Sequence, residues 1–147
     1  MTPLHKGTNL EIFSADTSLS LEIPYFEQGI SAGFPSPAED FLDLSIDLNK
    51  EYIRNPDATY YGRVRGNSMI EAGLHEGDLL IIDKSVEPLN GKIAVCNIDG
   101  EFTLKRLKIE KDCIYLVPAN KDYKPIKVTP ENELIIFGIV TAVIKKV

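Results

Sequence analysis

A chain of 147 residues, 44% hydrophobic and 26% charged, has the length and make-up of one ordinary globular domain, which excludes a collagen, a disordered tail and a multidomain machine. Sixteen Lys and Arg against 22 Asp and Glu leave a formal charge of −6, without the basic footprint of a duplex-DNA-binding domain. No apolar run reaches the roughly eighteen residues of a membrane span, and the N-terminus lacks the apolar stretch of a signal peptide, so a cytoplasmic protein that meets no membrane is expected.

In chain order, Met1 to Ser20 is polar, with too few apolar residues to build a core, and reads as a flexible arm. In LEIPYFEQGISAGFPSPAED, Gly29, Gly33, Pro35 and Pro37 forbid a long helix and favour an exposed, extended chain. The run FLDLSIDLNKEYI alternates at Leu42, Leu44, Ile46 and Leu48 like a strand, while Leu48, Tyr52 and Ile53 fit one short helix. A strand running into a helix that ends before Pro56 is predicted.

From Thr59 onward, runs rich in Val, Ile, Tyr and Thr alternate with turn signals: TYYGRVRG, DLLIIDK, KIAVCNI, EFTLKRLKI, CIYLVPA, PIKVT and ELIIFGIVTAVIKKV. Asp99-Gly100 is the strongest hairpin signal, because a two-residue turn with positive φ is cheapest with Asp or Asn before Gly, and Asn90-Gly91 marks a second turn. The pattern predicts a mainly β domain, curled into a barrel-like or sandwich form that hides its edges. Glu133 to Val147 is long for a strand and carries few charges before Lys145, so pairing of this strand across a two-fold axis in a homodimer is expected; the other possibility is a strand internal to one subunit. Cys96 and Cys113 lie in apolar runs without CxxC spacing, which points to buried reduced thiols and to no metal or cofactor.

The chemistry concentrates in Gly66-Asn67-Ser68-Met69, a serine between a predicted strand and a turn. Such a serine is most often a turn or cap residue, and to act as a nucleophile it needs a base. The chain has two histidines: His5 in the polar arm and His75 in the polar loop AGLHEGD, with no carboxylate placed to complete a triad. Lys105 in EFTLKRL is the alternative, since Phe102 and Leu104 on one side and Leu107 on the other could desolvate it while Arg106 points to the opposite face. An ordinary lysine pKa near 10.4 leaves about one molecule in a few thousand neutral at pH 7, so burial must lower it by roughly three units. Otherwise Lys105 simply snorkels from a strand edge.

Together GNSM, EGDLLIID and DGEFTLKRL resemble, in order and spacing, the LexA/UmuD family of self-cleaving Ser-Lys peptidases, over roughly Gly33 to Val147. The resemblance implies a curled sheet or partly open barrel of the LexA C-terminal, signal-peptidase-like type. It implies Ser68 as nucleophile, Lys105 as general base, and the backbone N–H groups of Ser68 and either Asn67 or Met69 as oxyanion hole. It also implies a substrate in the chain itself, the Ala32–Gly33 bond, which would divide an N-terminal arm, 1–32, from a peptidase-like domain, 33–147. By composition alone SAGFPSP is an ordinary linker.

The 32 residues before that bond lack helical periodicity and carry one Lys against four acidic residues, unlike the helix-turn-helix domain of the family's repressors. The resemblance therefore narrows to the family's mutagenesis proteins. It implies cleavage stimulated by the RecA filament on single-stranded DNA. The product would be a homodimer serving a UmuC-type error-prone DNA polymerase in the SOS response. Two other readings stay open: a signal-peptidase-like enzyme acting on other chains, and a non-catalytic interaction module.

Overall fold

A computed structural model describes residues 5–6, 10–18, 22–25 and 44–147. Among them the strands are β1 (His5–Lys6), β2 (Leu10–Ser14), β3 (Glu22–Tyr25), β4 (Leu44–Asp47), β5 (Thr59–Val64), β6 (Leu79–Asp83), β7 (Ile93–Ile98), β8 (Glu101–Ile109), β9 (Ile114–Val117), β10 (Ile126–Val128) and β11 (Leu134–Ile144). One short helix, α1 (Leu48–Tyr52), follows β4, with the Asp47 carboxylate accepting from the Asn49 N–H as its N-cap. Ala32, Gly33 and FPSPAED lie outside the described residues.

Among the described residues, nine strands form one antiparallel sheet in the order β1-β2-β5-β6-β11-β7-β8-β9-β10, and β3 pairs with β4 separately. β2 approaches β8 from the far side of that order, so the sheet is curled. The fold is mainly β, as the alternation of β-branched residues and turns predicts. At the β7–β8 hairpin Asp99 and Gly100 have φ of 51° and 89°, the left-handed pair a tight turn needs, and Ile98 faces Glu101 across it.

Each face of the sheet carries its own core. Leu10, Ile12, Val64, Met69, Leu74, Leu80, Ile82, Val95 and Leu104 fill one face, and Ala94, Cys96, Leu107, Leu116 and Ile139 the other. Strand alternation makes the division, since Val95 and its neighbours Ala94 and Cys96 point opposite ways. In β11 a one-residue bulge between Ile136 and Gly138 moves Ile139 onto the second face and Phe137 onto the first. Gly138 is needed there: a methyl on it would stand 2.7 Å from Ile82 Cγ2 and 3.3 Å from the Asp83 carbonyl oxygen.

Two expectations are corrected. Residues 10–14 are a strand of the sheet, and Leu10 and Ile12 are among its most buried side chains. The short run LEIF escapes a composition argument, but its period of two puts Leu10 and Ile12 on one face, which β5 receives. β11 pairs with β7 from Leu134 to Ile139 and with β6 from Ile139 to Ile144, so among the described residues only Ile139 is paired on both sides and each half of the strand keeps one edge without a strand partner. Of the cysteines, both free, Cys96 is buried and Cys113 only half-buried. No helix among the described residues is long and apolar enough to cross a membrane.

Candidate active site

Ser68 stands in the turn after β5. Gly66, with φ of 82°, starts that turn, and a single turn of 3₁₀ helix over Ile70–Ala72 ends it. Met69, 1% exposed, drives its side chain into the first core and so anchors the residue next to Ser68. The Met69 carbonyl accepts from the N–H groups of Ala72 and Leu74, closing the turn on itself.

The connection after β9 grips this turn from the side. The Ala119 N–H donates to the Ser68 carbonyl at 2.8 Å, and the Glu71 N–H donates back to the Ala119 carbonyl at 2.7 Å. Asn120, 5% exposed, donates its amide to the Asn67 carbonyl at 2.8 Å, and the Tyr123 hydroxyl donates to Asn67 Oδ1 at 2.7 Å. The backbone on either side of Ser68 is therefore held, while the Ser68 hydroxyl is left to meet Lys105.

Lys105 comes from the middle of β8, where it faces Ala94 across the β7 pairing, and it is 7% exposed. Its Nζ lies 3.3 Å from Ser68 Oγ, 2.7 Å from Thr103 Oγ1 and 3.1 Å from the Leu104 carbonyl oxygen. All three are neutral oxygens. Burial lowers the Lys105 pKa from its ordinary value, because the ammonium has lost water and gained no carboxylate among its named partners. The same burial pushes the nearby Cys96 thiol up to about 11, so it stays protonated and acts as a small apolar group.

The structure brings Ser68 and Lys105 together and leaves both histidines elsewhere. His75 is exposed, with its Nδ1 3.1 Å from Lys145 Nζ, and His5 lies in β1. Arg106 turns away from Lys105 as alternation requires, donating to the Gly91 carbonyl at 2.8 Å. Phe102 and Leu104, expected to desolvate Lys105, pack instead into the first core, and Leu107 shares the Lys105 face. Sequence reasoning missed Thr103, although its place two residues before Lys105 puts both on one face. It also missed Asn120 and Tyr123, for which the chain carries no local signal.

A serine within reach of a buried amine whose pKa burial has lowered can be deprotonated for attack on a carbonyl carbon. Comparison with known proteins agrees with that chemistry. Residues 24–141 match the family described as peptidase S24-like. The chain is 49% identical over 123 residues to Protein SamA of Salmonella typhimurium, covering 84% of this chain and 85% of that protein. It is 42% identical over 135 residues to Protein MucA of Escherichia coli, covering 90% and 91%. It is 39% identical over 110 residues to the LexA repressor of Stenotrophomonas maltophilia, covering 75% of this chain and 52% of the repressor. The chain belongs to the peptidase S24-like family of self-cleaving serine peptidases, among its UmuD-like SOS mutagenesis proteins.

Proposed function

We propose that Ser68 and Lys105 are the nucleophile and general base of this protein's self-cleavage, and that the bond cut is Ala32–Gly33. The observation that carries the reading is the 3.3 Å approach of a buried lysine amine to the serine hydroxyl with no carboxylate among the amine's partners. The neutral amine takes the hydroxyl proton as Oγ attacks the Ala32 carbonyl carbon. The resulting ammonium returns that proton to the Gly33 nitrogen as the peptide bond breaks, leaving an ester between Ala32 and Ser68. Water, deprotonated by the same amine, then hydrolyses the ester to free the Ala32 carboxylate.

The oxyanion formed on the Ala32 carbonyl is assigned to the N–H of Ser68 with that of Asn67 or Met69. These amides donate to no acceptor among the described residues, and the turn that carries them is held by Ala119 and Asn120. In this reading residues 1–32 are the segment cut from the domain 33–147. Cleavage takes place in the cytoplasm under stimulation by the RecA filament on single-stranded DNA, and the product, as a homodimer, serves a UmuC-type translesion polymerase. Family membership supports these partners.

Incubating the purified chain at alkaline pH and sequencing the fragments tests the reading. A new N-terminus at Gly33, absent from Ser68→Ala, is the expected result. Cleavage of added peptides with the chain itself left whole would favour a peptidase acting on other proteins.

A further inference from the structure

We infer that residues 1–32 remain bound to the domain after the chain is cut, so that cleavage nicks the fold without stripping it. This rests on the reading of Ala32–Gly33 as the bond cut. Two strands of the upstream segment are paired with strands downstream of that bond. β2 lies against β5 in register from Leu10↔Val64 to Ser14↔Tyr60, and β3 lies against β4 from Glu22↔Asp47 to Tyr25↔Leu44.

The β2 contact is a core contact. Leu10, Ile12 and Phe13 are 0%, 2% and 5% exposed, and Leu10 and Ile12 belong to the cluster that also holds Met69, the neighbour of Ser68. The fit is close: a methyl on Gly62 would stand 3.2 Å from Leu10 Cδ1. Glu11, itself buried, takes the Arg65 guanidinium, whose Nε donates to its carboxylate at 2.8 Å. Departure of β2 would open this cluster to water, leave the β5 edge with unpaired N–H and C=O groups, and strand the Arg65 charge. These are the forces by which a separate peptide adds a strand to a sheet edge, and they persist when the covalent link is gone. A partner that reads the β5 edge must therefore displace β2 in a step distinct from cleavage.

The test uses the full chain in two arms. In the first, wild-type protein is allowed to cut itself and is then passed through native gel filtration at micromolar concentration, with mass spectrometry of the peaks. In the second, a site-specific protease sequence inserted between Ala32 and Gly33 of Ser68→Ala makes the nick without Ser68. Residues 1–32 are expected to elute with 33–147 in both arms and to separate in denaturant. Ile12→Asp in the second arm, shown folded before nicking, should weaken retention at least about a hundredfold, and the milder Glu11→Gln should weaken it less. Loss of the fragment from the nicked protein in native buffer, or undiminished retention by Ile12→Asp, overturns the inference. Retention in the second arm with no cutting in the first upholds it and removes the self-cleavage reading instead.

Discussion

Two lysines of this chain sit in opposite settings. Lys105 is buried in β8 among Thr103 Oγ1, the Leu104 carbonyl and Ser68 Oγ, all neutral. Lys145, just past β11 and exposed, is paired with the Asp78 carboxylate, which also accepts from the His75 N–H at 2.9 Å. Burial raises the Asp78 pKa, but the Lys145 and His75 hydrogen bonds and charges outweigh it and the net shift is downward. One site withholds a counter-charge and so favours the free amine. The other supplies one and uses the ammonium to tie the C-terminal end of the sheet to the loop after Leu74. The proposed base and the staple thus differ in their surroundings, not in residue type.

The largest way to break the comparison is to remove the proposed nucleophile or base. Ser68→Ala and Lys105→Ala should each lower self-cleavage by about a thousandfold or more, with the β-sheet spectrum unchanged, while Lys145→Ala and His75→Ala cut at close to the wild-type rate. Time courses on gels at one alkaline pH decide it. Appreciable cutting by Lys105→Ala would remove the lysine from its assigned role.

The same contrast predicts a pH profile. With Lys105 as the proposed base only its neutral form accepts the proton, so the rate should climb about tenfold per pH unit and level off at a pKa below the ordinary lysine value, as burial of this amine requires. Lys145→Ala should not move the plateau. Thr103→Val should move it to lower pH, because the Thr103 oxygen accepts from the ammonium and its loss disfavours the charged form further. A midpoint at the ordinary lysine value would show that the amine is not desolvated when the chain reacts.

Much of this contrast was legible in the sequence. Ser68 and Lys105 could be read from GNSM and DGEFTLKRL together, and the strands after Thr59 from their alternation and their Gly-containing turns, because both signals are local. The grip of Asn120 and Tyr123 on Asn67 was not, since it joins residues more than fifty positions apart through single hydrogen bonds that leave no pattern in either segment. The neighbours of β11 were equally hidden. An apolar strand with few charges does not say which strands it pairs with, and only the register gives its first half to β7 and its second half to β6. β2 was missed because four apolar-rich residues in a polar stretch weigh little until β5 offers them a groove.

Stability separates the two lysines in the opposite sense from activity. An amine whose folded pKa is lowered weakens the fold at every pH below that pKa, and the penalty fades as pH rises toward the unfolded value of about 10.4. Lys105→Met should therefore abolish cutting and yet unfold at the same or higher urea concentration than wild type at pH 7, with the difference shrinking toward alkaline pH. A clearly less stable Lys105→Met would mean that the bonds to Thr103 and Leu104 outweigh the cost of burying the amine.

The smallest effect belongs to the staple. Asp78 has a folded pKa below its ordinary value of 3.8, so its contribution is complete above that value and is lost as pH falls through the folded pKa. Because the Lys145 side chain is 41% exposed, water and salt screen the pair. Asp78→Asn should then cost only about 0.5–1 kcal/mol at pH 7, read as a small fall in urea midpoint, and less in high salt. The deficit should vanish at acid pH, where the wild-type carboxylate is itself protonated. Cleavage at alkaline pH should proceed normally in this variant, since no bond of Asp78 reaches Ser68 or Lys105 among the described residues. A cleavage defect in folded Asp78→Asn would mean that the loop after Leu74 transmits its anchoring to the Ser68 turn through the Leu74 N–H bond to Met69, and the base and the staple would then be parts of one device.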